Sequence, residues 1–152
     1  MLRDNLYKEW LKSVVRSVQK INQTYIKSVV KKALDEDLKP RGDITTNLIS
    51  FKDKRTTAKI VAKQNGIIVG LDFCKTAFKL VGKETIFISK VKEGSKIKKN
   101  KVIAEIKAKT KTVLIAERTA LNFLNHASGI ATLTHQFKQK VNKKTKICCT
   151  RK

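Results

Sequence analysis

Residues 58–63, Ala-Lys-Ile-Val-Ala-Lys, mark the point at which the hydrophobic pattern of this sequence changes from helical to extended. Ala58, Ile60 and Ala62 occupy every second position, and this spacing predicts a strand with one buried face. Upstream, apolar residues recur every three to four positions. Downstream, strand patterns continue almost to Ala116, where the helical period returns. The fold must therefore combine helices with a run of strands.

Two helices are predicted before this strand. The first has apolar residues at four-residue spacing, namely Leu6, Trp10, Val14 and Val18, with Leu2 before them and Ile21 after them. The polar break Asn22-Gln23-Thr24 offers N-cap residues for the second helix. The apolar stripe of this second helix consists of Ile26, Val29, Val30, Ala33 and Leu34. It must end before Pro40, because the residue before a proline disfavours helical geometry.

The middle of the sequence predicts more strands and one short helix. Asn65-Gly66 is a strong signal for a two-residue hairpin turn, with Ile67-Ile68-Val69 as the return strand. The short helix should end at Gly82, and its apolar residues are Cys74, Ala77, Phe78 and Val81. Strands are expected around Ile86 and Ile88 and around Val102, Ala104 and Ile106, with a turn at Glu93-Gly94 and a short apolar piece at Val113-Leu114-Ile115.

From Ala116 onward the sequence predicts two helices and a last strand. Ser128-Gly129 separates the helices, and the second of them carries Ile130, Leu133, Phe137 and Val141 on one face. Residues 146–150 are expected to form a final strand, for which the sequence offers no obvious partner. This order of elements indicates an α+β fold.

Composition restricts the class of protein. The formal net charge is +23, from 35 basic and 12 acidic residues, and no acidic residue follows Glu117. A positive charge of this size is typical of proteins that bind nucleic acid. However, most of the basic residues are lysines, which are spread along the chain and are not interleaved with aromatic residues that stack on bases. Three cysteines without metal-ligand spacing predict a reducing compartment and no metal site. No apolar run is long enough for a signal peptide or a membrane span, so we expect a cytoplasmic, soluble protein.

Three stretches together resemble the N-terminal portion of nicotinate-nucleotide pyrophosphorylase, the decarboxylating quinolinate phosphoribosyltransferase family. The first is residues 33–38, ALDEDL, leading to 42–46, GDITT. The second and most specific is residues 117–124, ERTALNFL, leading to 128–132, SGIAT. The third is Thr150-Arg151-Lys152. The resemblance covers about residues 26–152.

The resemblance implies an open-faced α/β sandwich followed by an incomplete α/β barrel. We expect an N-terminal helix at residues 1–23, from its apolar period. The resemblance implies the sandwich domain at 24–116, and at 117–152 the helices and first strand that lead into the barrel. It also implies an enzyme, a pentosyltransferase that converts quinolinate and phosphoribosyl pyrophosphate to nicotinate mononucleotide, carbon dioxide and pyrophosphate in NAD biosynthesis. Magnesium accompanies the pyrophosphate, with ligands outside this chain. Family members are dimers or larger assemblies, in which one subunit caps the barrel of its neighbour.

Four residues are substrate-binding by this resemblance, and no catalytic residue is assigned. Arg118 reaches into the neighbouring subunit's active site, where its planar fork suits a carboxylate of quinolinate. Its place at the start of a helix would add backbone N–H groups to an anion site. By the same resemblance Thr150 and Arg151 belong to the substrate site, Arg151 binds a quinolinate carboxylate, and Lys152 lies near phosphoribosyl pyrophosphate.

Weaker candidates and alternatives remain. Glu36 and Asp37 with Asp43 could form paired carboxylates. However, Asp35, Asp37 and Asp43 are expected to cap and brace the loop around Pro40. His126 is expected to be a packed or surface histidine. The alternatives to the quinolinate enzyme are a molybdenum-transport-associated relative of the same fold, a small basic nucleic-acid-binding protein, and a non-catalytic module that docks on a separate barrel. Because the barrel is missing, we expect a fragment that is inactive alone.

Overall fold

The computed structural model describes residues 21–40, 42, 46, 54–142, 145 and 147 of the 152. The predicted first helix, apart from Ile21, and the predicted final strand, apart from Ile147, lie outside these residues. The described elements in chain order are α1 (Gln23–Leu38), β1 (Arg55–Val61), β2 (Gly66–Ile67), α2 (Leu71–Val81), β3 (Ile86–Ser89), β4 (Lys96–Ile97), β5 (Val102–Lys109) and α3 (Thr110–Lys140).

Helix α1 forms as its sequence predicts. The side chain of Asn22 caps it by accepting a hydrogen bond from the backbone N–H of Thr24 at 2.8 Å. Ile26, Val30 and Leu34 are buried, and their four-residue spacing places them on one face. The helix ends at Leu38, two residues before Pro40.

A three-stranded antiparallel sheet, in the order β1-β5-β3, forms the second layer. Strand β5 is central, and Ala58 of β1 lies opposite Ile106. The inner face of the sheet packs on the helices. The outer face is open and carries exposed side chains at alternate positions, including Arg55, Thr57, Lys59, Lys107 and Lys109. Mixed helices and an antiparallel, open-faced sheet confirm the α+β class.

The predicted hairpin at Asn65-Gly66 is wrong. Strand β2 pairs with β4, in a separate two-stranded sheet, and not with β1. Neither Asn65 nor Gly66 is among the described residues with positive φ, which a type I′ hairpin turn requires at both positions. Instead, the side-chain oxygen of Asn65 accepts a hydrogen bond from the backbone N–H of Lys99 at 2.8 Å. Asn65 therefore stabilises a link to the loop after β4 and does not reverse the chain.

Helix α2 and the turn at Glu93-Gly94 both form as the sequence predicts. Hydrogen bonds connect this turn to the start of the helix. Helix α2 ends at Val81 with Gly82 as C-cap, and its buried residues include Cys74 and Phe78. Gly94 has a φ of +75°. The Glu93 carboxylate accepts hydrogen bonds from the first backbone N–H groups at the N-terminus of α2, those of Gly70 and Leu71, where a negative charge is stabilised.

Helix α3 is a single helix of 31 residues, so the predicted break at Ser128-Gly129 is wrong. The apolar piece at residues 113–115 also belongs to this helix. Ser128 hydrogen-bonds to Val69, two residues after β2. Gly129 lies on an open side, where an added Cβ would meet no neighbouring atom within 4 Å. Ala116, Ala120 and Leu124, all before Ser128, are the apolar residues that bury this helix in the core. The predicted boundary between residues 116 and 117 falls within α3 and stays a prediction.

Candidate functional site

Arg118 lies on α3, about two turns after its first residue, Thr110. The prediction that it begins a helix is therefore wrong. Only the first four backbone N–H groups of a helix lack an intrahelical partner, so those around Arg118 add nothing to an anion site. Whatever Arg118 binds, it binds with its side chain, which is 77% exposed.

The partner of Arg118 is an aspartate on a different helix. Nη1 of Arg118 lies 3.3 Å from Oδ1 of Asp37, on the last turn of α1. The other carboxylate oxygen, Oδ2, accepts a hydrogen bond from the Thr119 hydroxyl at 3.3 Å. Asp37 thus joins α1 to α3 through two neighbouring residues of α3.

The three aspartates expected to brace the loop therefore differ. Asp35 does act locally, because its Oδ2 lies 3.0 Å from Nζ of Lys39, four residues later. Asp37 contacts α3 instead. Asp43 lies outside the described residues. The signal that assigns Asp37 to α3 is not in its local sequence, since Asp35 and Asp37 share one segment and one residue type.

A cavity of about 910 Å³ opens beside the Asp37–Arg118 pair, between α1 and α3. Arg118, Asn122 and His126 line it at four-residue spacing, which places them on one face of α3. Asn122 and His126 are exposed, in agreement with a surface position for His126. The remaining lining residues are Ala33, Glu36, Asp37, Phe73, Thr119, Phe123, Asn125 and Ala127.

The cavity combines charged and apolar walls. Phe73 of α2 stacks on Phe123 of α3, with ring centroids 5.2 Å apart and an interplanar angle of 25°. The guanidinium of Arg118, the amide of Asn122 and the imidazole of His126 supply hydrogen-bonding groups on α3. A small planar anion would find a cationic fork and amide donors here. The sequence does contain the spacing of these three residues, but nothing in it shows that α1 would form the opposite wall.

The other predicted site residues, Thr150, Arg151 and Lys152, lie outside the described residues, so their roles stay predictions. Within residues 21–40 and 54–142, and the few further described positions, no group of three His, Cys, Asp or Glu side chains could hold a metal ion. The magnesium that the resemblance implies stays a prediction. No helix in the described part of the chain has the length and apolar character needed to cross a membrane.

This chain is similar to known proteins in both sequence and fold. A family model described as "Quinolinate phosphoribosyl transferase, N-terminal domain" matches residues 43–128. A probable nicotinate-nucleotide pyrophosphorylase of Methanocaldococcus jannaschii is 39% identical over 132 residues, which are 84% of this chain and 44% of that protein. A probable enzyme of the same name from Bacillus subtilis is 34% identical over 133 residues, 87% of this chain and 45% of that protein.

Solved structures agree with these relatives. The nicotinate-nucleotide pyrophosphorylase of Francisella tularensis superposes with a TM-score of 0.75 at 30% identity, over 80% of this chain and 43% of that one. The chain thus spans a little under half the length of each of these three proteins. On the matched domain, the sequence identity and the shared fold, the chain belongs to the quinolinate phosphoribosyltransferase family.

Proposed function

We propose that this chain supplies the N-terminal, substrate-capping part of a quinolinate phosphoribosyltransferase. The complete enzyme makes nicotinate mononucleotide, carbon dioxide and pyrophosphate from quinolinate and phosphoribosyl pyrophosphate. The observation that carries the proposal is the exposed guanidinium of Arg118 at the rim of a large cavity. Arg118 also lies in the matched domain. The names of the matched relatives favour this enzyme over a molybdenum-transport-associated relative of the same fold.

Arg118 would act by binding and orienting the substrate. Quinolinate is a planar dicarboxylate, and an arginine can hold one carboxylate through two parallel hydrogen bonds. Holding the quinolinate ring in one orientation means that the loss of its rotational freedom occurs on binding and no longer adds to the activation free energy. Arg118 meets Asp37 through Nη1, and a guanidinium carries five N–H donors in all, so donors are left for a carboxylate. Magnesium would accompany phosphoribosyl pyrophosphate, and we assign it no step on these residues.

The substrate pocket would be completed by a second subunit. The chain spans 44–45% of the Methanocaldococcus jannaschii and Bacillus subtilis relatives, and the cavity beside Arg118 opens on the surface. We therefore propose a homodimer or larger assembly in which Arg118 of one subunit faces the barrel of its neighbour, where Arg151 and Lys152 contribute to the same pocket. A cytoplasmic location would suit this proposed role in NAD biosynthesis.

A hybrid enzyme tests this function. The 152 residues are joined to the C-terminal part of the Methanocaldococcus jannaschii relative, and nicotinate mononucleotide formation is measured. Arg118→Ala should lower kcat/KM for quinolinate about tenfold to a hundredfold, because a charged hydrogen-bond pair contributes about 1.5–3 kcal/mol. The matched control is Arg55→Ala, which removes another exposed arginine, paired with Glu84 at 3.2 Å on the sheet. It should leave kcat/KM unchanged.

Subunit mixing tests the shared site. Hybrids that carry Arg118→Ala should regain part of their activity when mixed with hybrids that carry Arg151→Ala, because one site of the mixed dimer then holds both arginines. An active 152-residue chain without a barrel, equal effects of Arg118→Ala and Arg55→Ala, or a mixed dimer as inactive as its parents would contradict the proposal.

A further inference from the structure

We propose that Asp37 is a positioning residue whose carboxylate holds the Arg118 side chain ready for a substrate carboxylate. This inference rests on the proposed function, because it assumes that Arg118 binds the substrate. It adds a residue of α1 to a site whose predicted members all lie at or beyond residue 118. The juxtaposition that supports it is the bridge from Asp37 to both Arg118 and Thr119.

The carboxylate of Asp37 is itself held in place. Its backbone belongs to α1, which is anchored in the core by Ile26, Val30 and Leu34. Its Oδ2 accepts the hydroxyl proton of Thr119, whose side chain is buried. Asp37 is only 25% exposed. A group fixed by a packed helix and by a buried hydroxyl can orient a flexible neighbour.

Arg118 is the flexible partner. Its side chain is 77% exposed, and a long exposed side chain samples many rotamers. The contact with Oδ1 of Asp37 engages Nη1 at one corner of the guanidinium plane. The contact therefore restricts the direction of the fork without covering all of its donors. Ordering the arginine before the substrate arrives removes a cost that binding would otherwise carry.

A purely structural role predicts something different. An ion pair whose arginine is largely exposed, as here, contributes little to stability. If Asp37 served the fold, its loss should lower the free energy of unfolding whether or not Arg118 is present. If it positions Arg118, its loss should change the order of the arginine side chain and the affinity for substrate, and only while Arg118 is present.

The first test uses the 152-residue chain alone. Side-chain NMR of the arginine guanidinium groups measures rotation about the Cζ–N bonds of Arg118. This rotation should be slower in the wild-type chain than in Asp37→Asn. The matched control is Asp35→Asn, the same chemical change two residues away on the same helix, where the partner is Lys39. It should leave Arg118 unchanged. Equal rotation rates in wild type and Asp37→Asn would overturn the proposal.

The second test uses the hybrid enzyme. Asp37→Asn should raise KM for quinolinate about twofold to tenfold, the cost of ordering one long side chain, with KM for phosphoribosyl pyrophosphate and kcat retained. Asp37→Glu should restore part of the affinity. Thr119→Val, which removes the hydroxyl that fixes Asp37, should raise KM in the same direction, and Thr119→Ser should not.

The double variant decides between positioning and structure. In an Arg118→Ala background, Asp37→Asn should have no further effect on KM. An equal effect in both backgrounds would overturn the positioning role, even if Arg118 does bind substrate. If Arg118→Ala leaves kcat/KM unchanged, the proposed function fails, whereas the NMR measurement still decides whether Asp37 holds Arg118.

Discussion

Ser128 accepts a hydrogen bond from the backbone N–H of Val69 at 3.0 Å and donates one to the carbonyl oxygen of the same residue at 3.1 Å. One turn later on α3, the Thr132 hydroxyl accepts from the backbone N–H of Ile67 at 2.9 Å and donates to the Ser128 carbonyl at 2.7 Å. Two hydroxyls of a helix thus supply the partners that β1 would have supplied in a hairpin. The backbone N–H of Ile68, between Ile67 and Val69, donates to the carbonyl oxygen of Ser95 at 3.0 Å, so the N–H groups of all three residues have partners outside β1.

Ser128→Ala should destabilise the chain. It leaves a partly buried backbone N–H and carbonyl of Val69 without their partner, which costs about 1–3 kcal/mol. Urea-induced unfolding measures the change in the free energy of unfolding. The matched control is Thr134→Ala, which removes an exposed hydroxyl from the same helix and should change stability by less than about 0.5 kcal/mol. Equal effects of the two substitutions would show that the Ser128 bonds contribute nothing.

Two glycines should respond in opposite directions to alanine. Gly70 has a φ of +100°, and a Cβ there would lie 3.2 Å from the carbonyl oxygen of Phe123 and 3.3 Å from Cβ of Ala127. Gly70→Ala should therefore cost about 1–3 kcal/mol. Gly129 lies inside α3 with open space around its Cβ position, so Gly129→Ala should stabilise the chain by about 1 kcal/mol. Thermal unfolding of both variants checks the signs. A destabilising Gly129→Ala would mean that α3 is interrupted there after all.

The parts of the fold that the sequence predicts correctly depend on neighbours in the chain. The cap at Asn22, the end of α1 before Pro40 and the end of α2 at Gly82 all follow from local backbone preferences. The alternation of Val102, Ala104 and Ile106 likewise appears as the central strand β5. A single side chain or a short local pattern decides each of these features, so a single sequence is enough to find them.

The features that the sequence predicts wrongly depend on residues far along the chain. From the local sequence, Ser128-Gly129 resembles a helix break. In the structure the Ser128 hydroxyl instead accepts a hydrogen bond from the backbone N–H of Val69, 59 residues away. Likewise, Asp37 resembles a loop-bracing residue from its local sequence, but in the structure it accepts a hydrogen bond from the Thr119 hydroxyl, 82 residues away. Tertiary contacts outweigh local propensity in both cases. The candidate site is therefore half predictable, with Arg118 found by its motif and Asp37 only by the fold.

Cys74 should not react with thiol reagents in the folded chain. It is buried in α2, and burial raises the pKa of its thiol from 9.0 to about 12, so almost no thiolate is present at pH 8. A Cys148→Ser, Cys149→Ser background leaves Cys74 as the single thiol. Labelling with a chromogenic disulfide should then be slow in buffer and rapid in urea. Rapid labelling without urea would contradict the burial of this side chain.

The same pKa shift predicts a loss of stability at high pH. The unfolded chain releases the Cys74 proton near pH 9, whereas the folded chain retains it to about pH 12. The unfolded state therefore binds fewer protons in this window, and the free energy of unfolding falls by up to about 1.4 kcal/mol per pH unit. Below pH 9 the Cys74 thiol is protonated in both states, so this loss of stability has not yet begun. Cys74→Ala, compared over the same pH range, should remove this part of the slope. Parallel slopes in the two chains would disprove the link.

The C-terminal half of α3 should make the isolated chain associate. Ile130, Leu133 and Phe137 lie on one helical face and are each more than half exposed, and exposed apolar patches drive association. Light scattering should show species larger than a monomer, and a hydrophobic dye should bind.

Leu133→Ala should weaken self-association and dye binding, while changing the free energy of unfolding by less than about 0.5 kcal/mol. The same substitution at Leu124, which is buried on the same helix, should cost about 2–5 kcal/mol instead. If the chain is monomeric and binds no dye, or if Leu133→Ala destabilises it as much as Leu124→Ala does, then this face is covered within the chain itself.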